Sequence, residues 1–213
     1  MTDLAFTVVD ILPEPYAAAP QLTARLRITE STGAAVHAIA LRCQVRIQPQ
    51  RRGYGTEEAA GLLDLFGARE RWPVTLKPFL WMQCSTMVQG FTGHTEVDLP
   101  LPCTFDFDVA GAKYLHALRE KAIPIELLFS GTVFTRGSTG FGVEQVPWDR
   151  EATYQLPVAV WRELMDAFFP NAGWIRLDLD VLHALAHYKS VLGLTSWEEA
   201  IGGLLAKAGE PVP

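Results

Sequence analysis

Leu22-Thr23-Ala24-Arg25-Leu26-Arg27-Ile28 and Ile39-Ala40-Leu41-Arg42-Cys43-Gln44-Val45-Arg46-Ile47 are the stretches that decide the fold, because apolar residues fall at every second position in both. A period of two is typical of β-strands with one buried face. The sequence therefore predicts two paired strands whose other face is rich in arginine. The candidate binding residues are the four arginines of that face: Arg25, Arg27, Arg42 and Arg46.

The composition indicates a folded protein with a sizeable core. The chain has 213 residues, 49% of them hydrophobic, which is enough for one full domain or for a domain with a smaller appendage. Its apolar runs stop well before the roughly 20 residues that a membrane-spanning helix needs. Residues 1–10 lack the basic start and the apolar run of a secretory signal. We therefore expect no membrane insertion and a cytoplasmic location.

The cysteines do not form a recognisable metal or redox motif. Cys43, Cys84 and Cys103 show no C-x-x-C spacing, and a cytoplasmic protein keeps its thiols reduced. Cys43 lies on the apolar register of its strand, which favours a small buried side chain. The sequence leaves open whether the three cysteines meet.

The charge distribution indicates the kind of partner. A net charge of −6 argues against nucleic-acid binding, which relies on a positive field. Between Gln21 and Gly55, however, six arginines stand against Glu30 alone. Such an asymmetry favours binding of an acidic protein surface or of an anionic ligand.

The order of the elements predicts the fold class. Strand patterns continue through residues 79–91, 97–102, 123–135, 141–146 and 152–156, whereas helical patterns dominate after Pro157. This order predicts an α+β fold, an antiparallel β-sandwich or curved sheet followed by a C-terminal helical segment. We expect a mainly β domain at 1–156 with one or two inserted helices. We expect the helical segment at 157–213 to pack on it and not to fold alone.

Other polar groupings have simpler explanations than a reaction centre. His183 and His187 stand four apart on a predicted helix, but no glutamate or evident third ligand completes a zinc motif. Asp106 and Asp108 share a strand face and, with His94, are the residues of an enzyme hypothesis. An outward, solvated face explains the carboxylate pair. We therefore predict no catalytic residues, no metal ligands and no cofactor.

The chain resembles an uncharacterised bacterial family of unknown function over nearly its full length. The resemblance lies in segments 40–47 (ALRCQVRI), 61–67 (GLLDLFG), 127–134 (LLFSGTVF) and 156–161 (LPVAVW). It implies an association with hydrogenase and electron-transfer gene clusters, and hence an accessory or assembly role. It implies no catalytic residues.

Together these patterns predict a non-enzymatic cytoplasmic accessory protein. It would bind a partner protein, in the assembly of a metalloenzyme or redox complex, through the arginine-rich face; a homo-oligomer is compatible with this. Two alternatives stay open at this point. One is a small-molecule or anion-binding module whose cleft is closed by tryptophan and arginine; the other, less favoured, is a hydrolase.

Overall fold

The computed structural model describes residues 2–104, 106, 109–137 and 140–210. Its strands are β1 (Leu4–Pro13), β2 (Gln21–Glu30), β3 (Val36–Ile47), β4 (Phe79–Phe91), β5 (His94–Pro102), β6 (Ala122–Gly137), β7 (Gly140–Gln145) and β8 (Glu151–Pro157). Its α-helices are α1 (Thr56–Gly61), α2 (Leu63–Phe66), α3 (Trp72–Thr75), α4 (Ala110–Ala117), α5 (Val158–Phe168), α6 (Leu179–Val191) and α7 (Trp197–Ala208). The predicted α+β class, with helices mainly toward the C-terminus, is confirmed.

The strands form two antiparallel sheets. The three-stranded sheet has the order β1-β2-β5, and the five-stranded sheet has the order β4-β3-β6-β7 with β8 also paired to β6. β6 pairs with two strands along one edge, since residues 122–128 pair with β8 and residues 132–137 pair with β7. The proline-containing β5 lies at a sheet edge, where the missing N–H of proline costs no ladder hydrogen bond.

The core lies between the inner faces of the two sheets. Phe6 of β1 stacks on Phe129 of β6 with their ring centroids 4.3 Å apart, which joins the sheets directly. A bulge in β1 between Val8 and Asp10 inserts one residue, so that Ile11 returns to the buried face. Alternating burial along β2 and β3 confirms that each strand has one buried face.

The pairing expected between the first two quoted strands is wrong. β2 pairs with β1 and β5, whereas β3 pairs with β4 and β6, so the two strands belong to different sheets. The connection between them is organised by the buried carboxylate of Glu30, which accepts hydrogen bonds from the backbone N–H groups of Asp3, Thr32 and Ala34 at 2.9–3.1 Å. Alternation determines which face of a strand is buried, but it does not select the neighbouring strand.

Gly131 allows β6 to approach β3 closely. Its φ is +145°, and a Cβ atom placed there would lie 2.1 Å from the carbonyl oxygen of Ala40. Only glycine adopts this backbone conformation without strain and leaves room for the neighbouring carbonyl.

The chain divides into two compact units, residues 1–174 and residues 175–213. The expected boundary at residue 157 coincides with the end of β8, but α5 contacts β1, β2 and β8 and belongs to the first unit. The second unit contains α6 and α7. In it, Ser196 and Glu199 form the capping box that their spacing predicts. That the C-terminal residues do not fold alone stays a prediction.

Candidate functional site

The structure separates the four predicted arginines into two groups. Arg25 and Arg27 lie on the outer face of the three-stranded sheet, and Arg42 and Arg46 lie on the outer face of the five-stranded sheet. Because the inner faces of the sheets meet in the core, the two outer faces point away from each other. The four residues therefore do not form one continuous surface.

The first group is neutralised locally. Arg25 contacts Asp98 at 3.0 Å, and Arg27 contacts Glu96 at 2.7 Å. Both acidic partners lie directly opposite on β5. All four side chains are more than one-third exposed, so each pair contributes only about 0–1 kcal/mol to stability. Their main effect is to leave this face with little net positive charge.

The second group is less completely neutralised. Arg46 lies opposite Glu126, whose carboxylate accepts a hydrogen bond from Gln48 Nε2 at 2.7 Å. Arg42 is exposed between Ser85 and Ser130 and forms no ion pair within the described part of the chain. The outer face of the five-stranded sheet therefore retains a free positive charge at Arg42.

Exposed apolar side chains also occur on the strands of this sheet and on the turn between β7 and β8. Backbone hydrogen bonds tie both ends of the turn that carries Trp148 to β6, next to Ser130. Trp148 is 92% exposed, and Met87 and Val143 are 57% and 61% exposed. Arginine and tryptophan are the residue types most enriched where partner proteins bind tightly.

A cleft in the first unit brings other basic residues together. It has a volume of about 450 Å³ and lies between the end of α4, α5 and the loop that follows α5. His116 and Arg119 line one side, Arg162 and Asp166 come from α5, and the nearly buried Trp161 contributes to the wall. This volume falls within the range of about 300–1,000 Å³ that is usual for small-molecule sites.

The electrostatics of the cleft favour an anion. His116, Arg119 and Arg162 line the same cleft, and burial together with the charges of the two arginines lowers the pKa of His116. Arg162 donates from Nη2 to the carbonyl oxygen of Leu118 at 2.6 Å, while its Nε is buried without a hydrogen-bond partner in the described structure. A buried donor without an acceptor lowers the stability of the folded state by about 1–3 kcal/mol unless an acceptor or a water molecule reaches it.

A buried ion pair positions the loop that carries Arg119. Arg52 donates to both carboxylate oxygens of Glu58 at 2.9 and 3.1 Å, and both side chains are only 4% exposed. Glu58 also accepts hydrogen bonds from the backbone N–H groups of Arg119 and Gly55. Arg52 in turn donates to the carbonyl oxygen of Glu120 at 3.2 Å. The segment after β3 therefore fixes the backbone at one side of the cleft.

The residues of the enzyme hypothesis do not come together. His94 begins β5 and Asp106 follows its end, so about eight strand steps of roughly 3.3 Å separate them along the strand. The four residues after Pro102 span at most about 14 Å and cannot return Asp106 to His94. Asp108 lies outside the described residues.

The histidine pair and the cysteines have different surroundings. His183 and His187 are exposed on α6, and the described residues contain no group of three or more side chains suited to hold a metal ion.

Cys43 and Cys84 are directly opposite each other on β3 and β4, whereas Cys103 lies beyond the end of β5. Two of the three cysteines therefore do meet.

The sequence reasoning missed His116, Arg119 and Arg162. A partial signal existed, because His116 and Arg119 are three residues apart, a spacing that puts two side chains on neighbouring positions when the backbone is helical. Nothing in the local pattern indicates that Arg162, more than forty residues later, reaches the same place.

The chain belongs to a family of unknown function, DUF6084, whose match covers residues 1–213. No curated protein matches it. Within the described residues, none of the helices has the length and apolar character needed to traverse a bilayer.

The similarities to solved structures are distant. A β-glucosidase from Kluyveromyces marxianus aligns with 72% of this chain at 11% identity and a TM-score of 0.24, and this chain covers only 15% of that protein. The CARDB domain of a Pyrococcus furiosus protein aligns with 73% of this chain and 87% of its own at 10% identity and a TM-score of 0.28. AggA, a fimbrial subunit from Escherichia coli, aligns with 73% of this chain and 94% of its own at 7% identity and a TM-score of 0.24. These similarities carry no inference about ligand or activity.

Proposed function

We propose that this member of DUF6084 is an anion-binding module that holds a small phosphate- or carboxylate-bearing molecule in the cleft. The observation that supports this is the convergence of His116, Arg119 and Arg162 on one cleft of a protein whose net charge is −6. Guanidinium groups match the oxygen geometry of carboxylate and phosphate and stay charged at every physiological pH.

The cleft also restricts where the anion would lie. The carboxylate of Asp166 lines the same cleft and would repel an oxyanion placed beside it. We therefore expect the anionic group to lie toward Arg119 and Arg162, with a hydroxyl or amine of the ligand facing Asp166. A ligand with one anionic end and one donor end would satisfy both sides.

Binding of defined anions to three proteins tests this proposal. The wild type, Arg119→Gln and Arg42→Gln would be titrated with inorganic phosphate and with citrate at constant ionic strength, while thermal stability is followed. Arg119 is suited to the test because its side chain is exposed and its structural hydrogen bond comes from the backbone. Arg42→Gln removes the same charge from a residue that does not line the cleft.

We expect a saturable rise in melting temperature for the wild type and for Arg42→Gln. For Arg119→Gln, the apparent affinity derived from this rise should be at least tenfold lower. Ligand that binds only the folded state stabilises it by RT ln(1 + [L]/Kd), so the shift reports affinity directly. Equal shifts in all three proteins, or none in the wild type, would contradict the proposal.

A second function is favoured by the exposed face around Arg42. We propose that this face binds a partner protein with an acidic surface, because Arg42 forms no ion pair with any described residue. Exposed Met87 lies opposite Ala40 on the neighbouring strand, and the turn that carries exposed Trp148 is bonded to β6 next to Ser130, the partner of Arg42. An accessory role in assembling a metalloenzyme or redox complex in the bacterial cytoplasm would use this face. Arg25 and Arg27 are weaker candidates, since their charges are already matched by Asp98 and Glu96.

Charge reversal tests the second function. A partner captured from native extract by the wild type would be lost with the Arg42→Glu, Arg46→Glu variant and with Trp148→Ala, and would be released as salt rises. The matched control is the Arg25→Gln, Arg27→Gln variant, which should retain the partner. Capture that is unaffected by all of these changes would refute a role for this face, and self-capture would instead indicate a homo-oligomer.

A further inference from the structure

Cys43 and Cys84 are brought side by side by strand pairing, although they are far apart in sequence. They are directly opposite partners on antiparallel β3 and β4. Such partners have Cα atoms about 4.5–5.5 Å apart, inside the range of about 4.4–6.8 Å found in disulfides. The Cys84 thiol points back across the pair, with its Sγ 3.7 Å from the carbonyl oxygen of Cys43.

The two thiols differ in access. Cys43 is 2% exposed and belongs to the core, whereas Cys84 is half-buried on the edge strand β4. A small oxidant therefore reaches Cys84 first. Cys43 then lies beside it as the second thiol, which is the arrangement of redox-sensitive cysteine pairs.

The interaction between the two side chains makes the thiols chemically unequal. It lowers the pKa of Cys84, and together with burial it raises the pKa of Cys43. Cys103 resembles Cys43 in this respect, because burial raises its pKa to about 12. The thiolate is the reactive form of cysteine, so Cys84 is the more nucleophilic of the three.

We propose that Cys43 and Cys84 form an oxidisable dithiol that hydrogen peroxide converts to an intramolecular disulfide. The Cys84 thiolate attacks one peroxide oxygen and becomes a sulfenic acid, and hydroxide leaves. Cys43 then attacks the sulfenic sulfur, its proton leaves with the sulfenic oxygen as water, and the S–S bond forms. Two thiols are oxidised, one peroxide is reduced to two waters, and a dithiol reductant reverses the reaction.

The disulfide would restrict the separation of the edge strand β4 from β3. Among the described strands, β4 pairs with β3 alone within its sheet, and a covalent link at Cys84 would prevent it from separating there. Oxidation would therefore fix the side of the five-stranded sheet that lies next to Arg42. This inference is independent of anion binding in the cleft.

The test is peptide mapping of the peroxide-treated, full-length wild type after unreacted thiols are alkylated. Trypsin alone does not separate Cys84 from Cys103, because no cleavable lysine or arginine lies between Trp72 and Lys113. A second cleavage after Glu96 separates them. We expect a linked peptide pair containing Cys43 and Cys84, an alkylated Cys103, and loss of two of the three thiols.

Two variants sharpen the result. Cys103→Ser should oxidise as the wild type does, and Cys84→Ser should keep Cys43 reduced at the same peroxide dose. Linkage through Cys103, a disulfide between two chains, or three thiols that survive peroxide in the folded wild type would overturn the proposal. The wild-type map alone decides the case if a variant fails to fold.

Discussion

Replacing Glu58 with alanine should destabilise this protein far more than removing a carboxylate from its surface. The Glu58 side chain is 4% exposed and accepts hydrogen bonds from Arg52, from the backbone of Arg119 and from the backbone of Gly55. The variant leaves the Arg52 guanidinium buried without a counter-charge, and both backbone donors lose their acceptor.

The size of the loss in unfolding free energy follows from the Arg52 charge that stays buried after the substitution. Breaking one partner of a buried ion pair costs about 3–5 kcal/mol, since the remaining charge is no longer compensated. A domain is stable by only about 5–15 kcal/mol in total. Glu58→Ala should therefore lose a large fraction of the stability of the first unit.

Urea unfolding of Glu58→Ala beside Glu96→Ala measures the difference. Glu96 also pairs with an arginine, Arg27 at 2.7 Å, but both side chains are 40% exposed or more. Its removal should therefore cost no more than about 1 kcal/mol. If Glu58→Ala loses less than about 1 kcal/mol, the buried pair does not hold the segment in place and the reasoning fails.

Three further predictions concern the fold. Gly131→Ala should cost at least about 2 kcal/mol in urea unfolding, because the added Cβ meets the Ala40 carbonyl and the positive φ is strained; a neutral effect would show that β3 and β6 can separate at no cost. Phe129→Ala should cost about 3–5 kcal/mol in the same assay, since the ring is 2% exposed and stacks on Phe6; a loss below 1 kcal/mol would argue against that packing. The hydroxyl of Thr32 and nearby backbone donors lower the pKa of Glu30 from 4.5 to about 2, so its contribution is complete above pH 4.5 and is lost as pH falls toward 2. Melting temperatures of wild type and Glu30→Gln across that range should converge at the acid end, and a constant difference would contradict the assignment.

Local pattern was sufficient for most individual elements. Pro13 and Pro15 mark the end of β1, Gly67 follows α2 with a positive φ, and Ser196 caps the start of α7. These signals act over a few residues, because proline, glycine and capping side chains restrict their own backbone.

Local pattern was insufficient for the candidate site. The turn that carries Trp148 lies next to Ser130, the partner of Arg42, because its backbone is hydrogen-bonded to β6 and β6 is paired with β3. Likewise, the backbone of Arg119 is held by Glu58, which is sixty-one residues earlier. Contacts of this kind depend on strand order and crossover paths, which periodicity does not encode.

The sequence by itself determined that β2 and β3 are strands with one buried and one arginine-bearing face, since a period of two follows from the pleat of a single chain. Only the tertiary structure decided that these faces lie on opposite sides of a sandwich, that Cys43 meets Cys84, and that a basic cleft forms beside α5. The physical reason is that the buried face of a strand is set by its own side chains. The strands that lie next to it are determined by which of many apolar surfaces pack together with the lowest free energy.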